Sequence, residues 1–177
     1  MRDSMIRYTQ PGIEVFLKRL VLLLSFFLLS APALADVEVQ FYTANDGFSV
    51  TNLGGCPLTD VEIEINMASS VGGLVFDTFP GPPGLNQSQS LRIIRGGDFL
   101  TQTPVVRDGS TKMTLIIKEL PSDEYVVIAL DTDSNESAWS NIPEIKGGFA
   151  KMTGSETAIF DSIGTALIPN IGCKNVS

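Results

Sequence analysis

Short runs in which apolar and polar residues alternate are the feature that most constrains how this chain can fold. Val61, Ile63 and Ile65 alternate with acidic residues, and the same period of two recurs at 48–50 and 113–117. A period of two places every second side chain on one face of a β-strand, so each run predicts a strand with one buried face. No segment after residue 36 carries the apolar stripe of a helix, so the pattern predicts an all-β fold.

Turn residues between the runs predict how the strands are connected. Residues 45–47, Asn-Asp-Gly, predict a hairpin. Asp108-Gly109 predicts a second hairpin, which joins 105–106 to the strand at 113–117. The nearly uninterrupted apolar run 125–130 is typical of a central strand that is covered on both faces.

The number and spacing of the predicted strands favour one architecture. About nine or ten short strands separated by Gly and Pro turns are typical of two packed antiparallel sheets. The sequence therefore predicts an antiparallel β-sandwich, either Ig-like or jelly-roll, and leaves the strand order open. The remaining strands are predicted at 37–41, 74–76, 91–94, 145–152, 157–160 and 165–168.

The N-terminus has the pattern of a signal peptide. Lys18 and Arg19 precede the apolar run 20–30, and small residues stand at Ala33 and Ala35. An uncleaved anchor is the alternative, but the run is shorter than the roughly 20 apolar residues that span a bilayer. We therefore expect a signal peptide helix within residues 1–35, cleavage before Asp36 and one mature domain, 36–177. That domain is secreted, surface-bound or periplasmic, without membrane insertion.

The charge of the mature chain narrows the choice of partners. Removing residues 1–35 takes away four basic and two acidic residues, which leaves 8 basic and 18 acidic residues and a net charge of −10. Such a chain repels phosphate backbones, and it has no cluster of Lys and Arg, so nucleic acid is excluded as a partner. An acidic surface suits divalent cations instead.

The two cysteines of the chain predict a disulfide. Cys56 and Cys173 leave no third thiol over, and exported proteins mature in oxidising compartments. We therefore expect Cys56 to pair with Cys173, which ties the C-terminal end of the chain to an early strand. Two separate thiols are the alternative.

Catalytic chemistry is largely excluded by what the sequence lacks. The chain contains no histidine, so Ser-His-Asp and Cys-His arrangements and histidine-bound zinc cannot form. It contains no G-x-S-x-G motif, P-loop or dinucleotide fingerprint. The 18 acidic residues of the mature chain offer many carboxylate pairs, but nothing in the sequence selects one for glycoside hydrolysis. We therefore expect a protein that is not an enzyme.

A run of oxygen donors after the apolar run 125–130 is the strongest candidate site. Asp131, Asp133, Asn135 and Glu136 could converge on Ca²⁺, which takes six to eight oxygen ligands. The run is not an EF-hand loop, because it lacks the Gly and the terminal Glu of that motif. The alternative is an acidic turn whose side chains cap their own backbone. Further ligands would come from a neighbouring loop, with Asn45, Asp46 and Asp77 as candidates.

The single tryptophan is a second candidate binding residue. Trp139 lies in a polar stretch soon after the oxygen donors. An exposed indole ring can stack on a sugar or anchor a partner protein. The alternative is that Trp139 folds back and closes one end of the sandwich.

Several short motifs of the mature chain form a recognisable set. They are Phe-Ser-Val-Thr-Asn at 48–52, Cys-Pro-Leu at 56–58, Gly-Leu-Val-Phe-Asp at 73–77, Val-Arg-Asp-Gly at 106–109, Asp-Thr-Asp at 131–133 and Cys173. Together they resemble a family of bacterial exported proteins, named after the core protein of the sponge aggregation factor. The resemblance covers most of the mature chain and implies a secreted or surface-associated β domain, linked by name to calcium-dependent cell aggregation. One departure weakens the cation site, since Ser134 stands where family members often carry another acid.

Composition, candidate site and resemblance together predict an exported adhesion or extracellular-matrix-type binding domain. The hypothesis includes calcium dependence and a cell-surface or matrix protein, or a glycan, as the partner. The alternatives are a carbohydrate-binding module and a periplasmic accessory protein with a structural task. Sugar binding that depends on Trp139 would favour the module, whereas aggregation of expressing cells would favour adhesion.

Overall fold

The alternating runs form eleven β-strands in the described part of the chain. The computed structural model describes residues 35–43, 46–80, 88–134 and 141–169. Two short 3₁₀ helices, Gly97–Phe99 and Ile142–Ile145, complete the regular structure of these residues. The strands are β1 (Ala35–Tyr42), β2 (Gly47–Asn52), β3 (Leu58–Asn66), β4 (Val75–Asp77), β5 (Arg92–Arg95), β6 (Lys112–Leu120), β7 (Tyr125–Ala129), β8 (Asp131–Asp133), β9 (Phe149–Met152), β10 (Thr157–Ile159) and β11 (Thr165–Pro169).

The strands form three antiparallel sheets, and the two larger ones make the sandwich. One has five strands in the order β11-β1-β2-β7-β5, the other has four in the order β10-β9-β3-β6, and β4 pairs with β8 alone. The chain from Leu34 to Ser177 is one compact unit. The predicted signal peptide lies almost entirely outside the described residues, so its boundary stays a prediction.

The core lies between the two larger sheets. Phe48 is at its centre, with ring centroids 5.1 Å from Phe41, 6.2 Å from Phe76 and 6.2 Å from Phe160. The two antiparallel sheets and the core between them confirm the predicted antiparallel β-sandwich. The side chains that enter the core are the apolar members of the alternating runs. The fully buried residues of the alternating runs are Val37, Val39, Phe41, Phe48, Val50, Ile63, Ile65, Leu115 and Ile117.

The hairpin predicted at residues 45–47 is confirmed. Strands β1 and β2 pair with Phe41 opposite Phe48 and Tyr42 opposite Gly47. Asp46 has a φ of 37°, which is a left-handed conformation typical of a tight turn. A Cβ atom at Gly47 would collide with the carbonyl oxygen of Ile128 on β7, so this close approach of the strands requires glycine.

The second predicted hairpin is wrong. Residues 105–106 form no strand, and Val105 is 85% exposed. The Asp108-Gly109 turn exists, with Gly109 at a φ of 70°, but it returns the chain to β4. Gly109 N–H donates to the Phe76 carbonyl and Phe76 N–H donates to the Ser110 carbonyl, each at 2.8 Å. Through these two bonds the main chain of the turn pairs with Phe76, which lies more than 30 residues earlier in the chain. Local sequence patterns do not reveal such a distant partner.

Two other predicted strands differ from the structure in part. Strand β7 lies between β2 and the edge strand β5, and its side chains alternate between fully and partly buried, so only one face is fully covered. The run 145–152 begins in a 3₁₀ helix instead of a strand. The N-terminus of this helix is closed by a capping box, in which Asn141 N–H donates to the Glu144 carboxylate at 2.6 Å.

A search of the described residues for a helix with the length and hydropathy of a membrane span finds none.

Candidate functional site

The small sheet of β4 and β8 brings three aspartates together. Asp77 lies opposite Asp131, and Val75 lies opposite Asp133. Because successive side chains of a strand point to opposite faces, Asp77, Asp131 and Asp133 share one face of this sheet. We call these three residues the acidic face. The other face carries Phe76, which packs into the core against Phe48.

The structure corrects the predicted form of the calcium loop. The sequence suggested a loop after a central strand, but residues 131–133 are strand β8, with antiparallel pairing to β4. Asp131 N–H also donates to the Gln89 carbonyl at 3.2 Å, and Gln89 N–H donates to the Asp77 carbonyl at 3.3 Å. These main-chain bonds hold the two aspartates on a fixed backbone. Strand pairing was missed because three residues are too few to show a period.

The carboxyl groups of the acidic face are buried. Asp77 is fully buried, Asp133 is 1% exposed and Asp131 is 9% exposed. Neither carboxylate oxygen of Asp77 has a hydrogen-bond donor among the described residues. Burial of a carboxylate is costly unless a donor or a counter-charge compensates for the lost water. Asp77 is therefore the residue of the acidic face whose burial is least compensated by hydrogen bonds to the described residues.

Burial and mutual repulsion raise the pKa values of two carboxyl groups of the acidic face. Burial raises the pKa of Asp77 to about 6, and the neighbouring carboxyl of Asp133 is the next cause. Burial likewise raises the pKa of Asp131 to about 6, with contributions from the charges of Asp133, Asp46 and Asp77. Above a pH of about 6 the carboxyl of Asp77 is ionised and has no proton to donate, so at neutral pH its proximity to Asp133 does not compensate for its burial.

Two further aspartates flank the acidic face. Asp108 accepts hydrogen bonds from Thr78 N–H at 2.8 Å and Phe79 N–H at 3.0 Å, so it caps the chain just after β4. The Asp46 carbonyl accepts Leu130 N–H at 3.0 Å, which brings the β1–β2 turn to the start of β8. Two of the candidates for further ligands, Asp46 and Asp77, therefore lie near Asp131.

Several predicted site residues lie outside the part of the chain that the structure describes. They are Asn135, Glu136, Trp139 and Asn45. Within the described ranges, no group of three or more His, Cys, Asp or Glu side chains is arranged to hold a metal ion. The three carboxyl groups of the acidic face are therefore not a metal site by themselves, and a calcium site would need further oxygens.

One end of the predicted disulfide is described. Cys56 is not a free thiol. Its carbonyl accepts a 2.9 Å hydrogen bond from the side-chain amide of Asn52, a fully buried residue at the end of β2. Cys173 lies outside the described residues. The pairing of these two cysteines stays a prediction.

Comparison with known proteins adds no further constraint. No family model, curated protein or solved structure matches this chain. The resemblance to the exported family named after the sponge aggregation factor therefore stays a hypothesis.

Proposed function

We propose that this protein is an exported binding domain of the adhesion or extracellular-matrix type, and that calcium bound at the acidic face completes its fold. The observation that carries the proposal is the buried carboxylate of Asp77, which has no donor among the described residues and faces Asp131. The partner would be a protein or a glycan of a cell surface or matrix.

A cation is the simplest compensation for this carboxylate. Among the described residues, no basic side chain contributes to the raised pKa values of Asp77 and Asp131. The buried negative charge of these two carboxyl groups therefore calls for another compensation. A metal ion would supply a counter-charge and would bind several of the oxygens at once.

Calcium fits the available donors better than other metals do. The candidate ligands are oxygens only, since the chain has no histidine and Cys56 is not a free thiol. Ca²⁺ accepts six to eight oxygen ligands in varied geometry, whereas Mg²⁺ requires a near-ideal octahedron. Asn135 and Glu136 follow β8 after Ser134 and would supply further oxygens. With Ser134 in place of an acid, we expect an affinity on the order of 10⁻⁴ to 10⁻³ M, as in extracellular modules.

Calcium would connect this site to partner binding. It would tie the segment after β8, which contains Trp139, to the rigid backbone of β4 and β8. It would also lower the repulsion between two acidic surfaces, which opposes adhesion of a domain with a net charge of −10. Both effects predict that binding to a partner depends on calcium.

Thermal unfolding of the purified protein tests the calcium site. Excess calcium should raise the unfolding midpoint relative to chelator, since a ligand at a hundredfold excess over its Kd stabilises by about 2.7 kcal/mol. Asp77→Asn should abolish this shift. In chelator, the variant should be at least as stable as the native protein, because it removes a buried negative charge.

The matched control is Glu119→Gln, which removes an exposed carboxylate on β6, away from the acidic face. This variant should keep the full calcium shift. A midpoint that calcium does not move, or an equal shift in Asp77→Asn, would show that the acidic face binds no cation. The Asp131→Ala, Asp133→Ala double variant should also lose the shift.

Adhesion is tested separately from metal binding. Beads coated with the protein should aggregate with millimolar calcium and disperse in chelator, while Asp77→Asn beads should stay dispersed. Calcium binding without any aggregation, and without binding to cells, would support the metal site and contradict the adhesion role.

A further inference from the structure

A groove runs beside β6 on the outer face of the four-stranded sheet. Its volume is about 370 Å³, which lies within the range of ligand-binding clefts. Alternate residues of β6 form one side, and the segment before the Asp108-Gly109 turn forms the other. The side chains that define it are Gln102, Val105, Arg107, Lys112, Thr114 and Ile116.

The charge of the groove is opposite to that of the molecule. Arg107 and Lys112 are among its lining residues, and no acidic residue lines it. The mature chain as a whole has more than twice as many acidic as basic residues. Lys112 forms an ion pair with Glu64, at a distance of 2.7 Å. Arg107 belongs to neither of the ion pairs of the described residues, Lys112–Glu64 and Arg95–Glu124. The exposed guanidinium of Arg107 is therefore the cation that can bind an acidic ligand.

The main-chain edge of β6 beside the groove is interrupted at two points, Lys112 and Ile116, where main-chain groups already have partners. The Ser110 hydroxyl donates to the Lys112 carbonyl at 2.9 Å and accepts Lys112 N–H at 3.1 Å. Thr101 N–H donates to the Ile116 carbonyl at 2.9 Å. A peptide that adds as a strand needs unpaired main-chain groups, whereas a sugar can bind to side-chain donors alone. The groove therefore favours a saccharide over a peptide strand.

An apolar side chain stands beside the basic one. Val105 is 85% exposed and lies two residues before Arg107. It is the most exposed large hydrophobic residue in the described part of the chain. The C–H face of a sugar ring could cover Val105 while a carboxylate on the same ring reaches Arg107. Gln102 and Thr114 offer amide and hydroxyl groups for ring hydroxyls.

We propose that this groove binds an acidic oligosaccharide, with a uronate carboxylate on Arg107 and an apolar ring face on Val105. The inference goes beyond calcium-dependent adhesion and does not rest on it, because the groove contains no residue of the acidic face. Either proposal can fail while the other holds.

Calorimetric titration of the purified protein tests the proposal, with chelator present to remove calcium. The probes are trigalacturonate, its neutral counterpart trigalactose and the acidic peptide triglutamate. Trigalacturonate should bind with an affinity that falls as salt is added, and trigalactose should bind at least tenfold more weakly. Stronger binding of triglutamate would overturn the saccharide class, and equal binding of trigalactose would overturn the role of the carboxylate.

Variants locate the binding in the groove. Arg107→Gln should weaken trigalacturonate about tenfold, as expected for loss of a charge-assisted hydrogen bond. Glu64→Gln should strengthen binding, because it releases Lys112 from its ion pair. The matched control is Lys118→Gln, an exposed basic residue farther along β6, which should stay within twofold. Equal losses in Arg107→Gln and Lys118→Gln, with unchanged unfolding midpoints, would overturn the site.

Discussion

Asn52 is a single residue that joins three parts of the sandwich. The Nδ2 of its side chain donates to the carbonyls of Cys56 and Leu120, each at 2.9 Å, and the Oδ1 of the same side chain accepts Gly54 N–H at 3.0 Å. These bonds connect the end of β2, the turn that contains Cys56 and the end of β6. Nothing in the sequence indicates this role, since an Asn before two glycines is typical of an ordinary turn.

We expect Asn52→Ala to lower the free energy of unfolding by about 2 to 4 kcal/mol, because it leaves two carbonyls without their donor. Urea unfolding measures the loss. Asn66→Ala is the matched control. The Asn66 amide donates to the partly exposed Glu64 and its side-chain oxygen accepts the exposed Ala68 N–H, so its loss should cost about 1 kcal/mol or less. Equal losses in the two variants would contradict the connecting role of Asn52.

At the scale of strands, the sequence predicts burial better than pairing. The alternation at 61–65 identifies Val61, Ile63 and Ile65 as core residues of β3, because burial follows from the period of a single strand, and it misses only Leu58 at the start of the strand. Strand β8 escaped prediction because it has three residues and a partner more than 50 positions away. The sequence predicted that Asp131 and Asp133 lie close together, because they belong to the same short segment. The position of Asp77 opposite Asp131 depends on strand pairing, so the sequence could name Asp77 only as one of several candidate ligands.

The contact between β3 and β6 supports a prediction on pH. Lys112 Nζ lies 2.7 Å from a Glu64 carboxylate oxygen, and this hydrogen bond lowers the pKa of Glu64 below its usual value of 4.5. A lowered pKa in the folded state means that the ion pair stabilises the protein above about pH 4.5, and that this stability is lost as the pH falls through the folded-state pKa.

Glu64→Gln should therefore lower the free energy of unfolding by about 0.5 kcal/mol at pH 7, a small loss because both side chains are partly exposed. The difference from the native protein should vanish in acid. Urea unfolding between pH 3 and pH 7 measures it. Glu62→Gln removes a neighbouring exposed carboxylate on β3 and should show no such pH dependence. A loss that persists at pH 3 would mean that Glu64 acts through packing instead of charge.

At the scale of the whole molecule, the predicted disulfide would close a loop of more than a hundred residues. Such a closure is worth about 4 to 5 kcal/mol if its effect is mainly on the entropy of the unfolded chain. We expect Cys56→Ser, Cys173→Ser and the double variant to lose the same amount in urea unfolding, because either single change removes the whole bridge. Additive losses in the double variant, or free thiols in the mass of the native protein, would contradict the pairing.

The pairing of the first and last described strands has a consequence for the order of events during export. Ala35 lies opposite Pro169 at the start of the β1–β11 pairing, and the predicted cleavage site follows Ala35 directly. A signal peptidase binds its substrate as an extended, unpaired segment, and a strand held in a sheet is not available in that form. If the leader is cleaved after Ala35 as predicted, cleavage would have to precede the arrival of β11, which follows β1 by more than a hundred residues. Removal of the leader and closure of this sheet would then be successive steps in time.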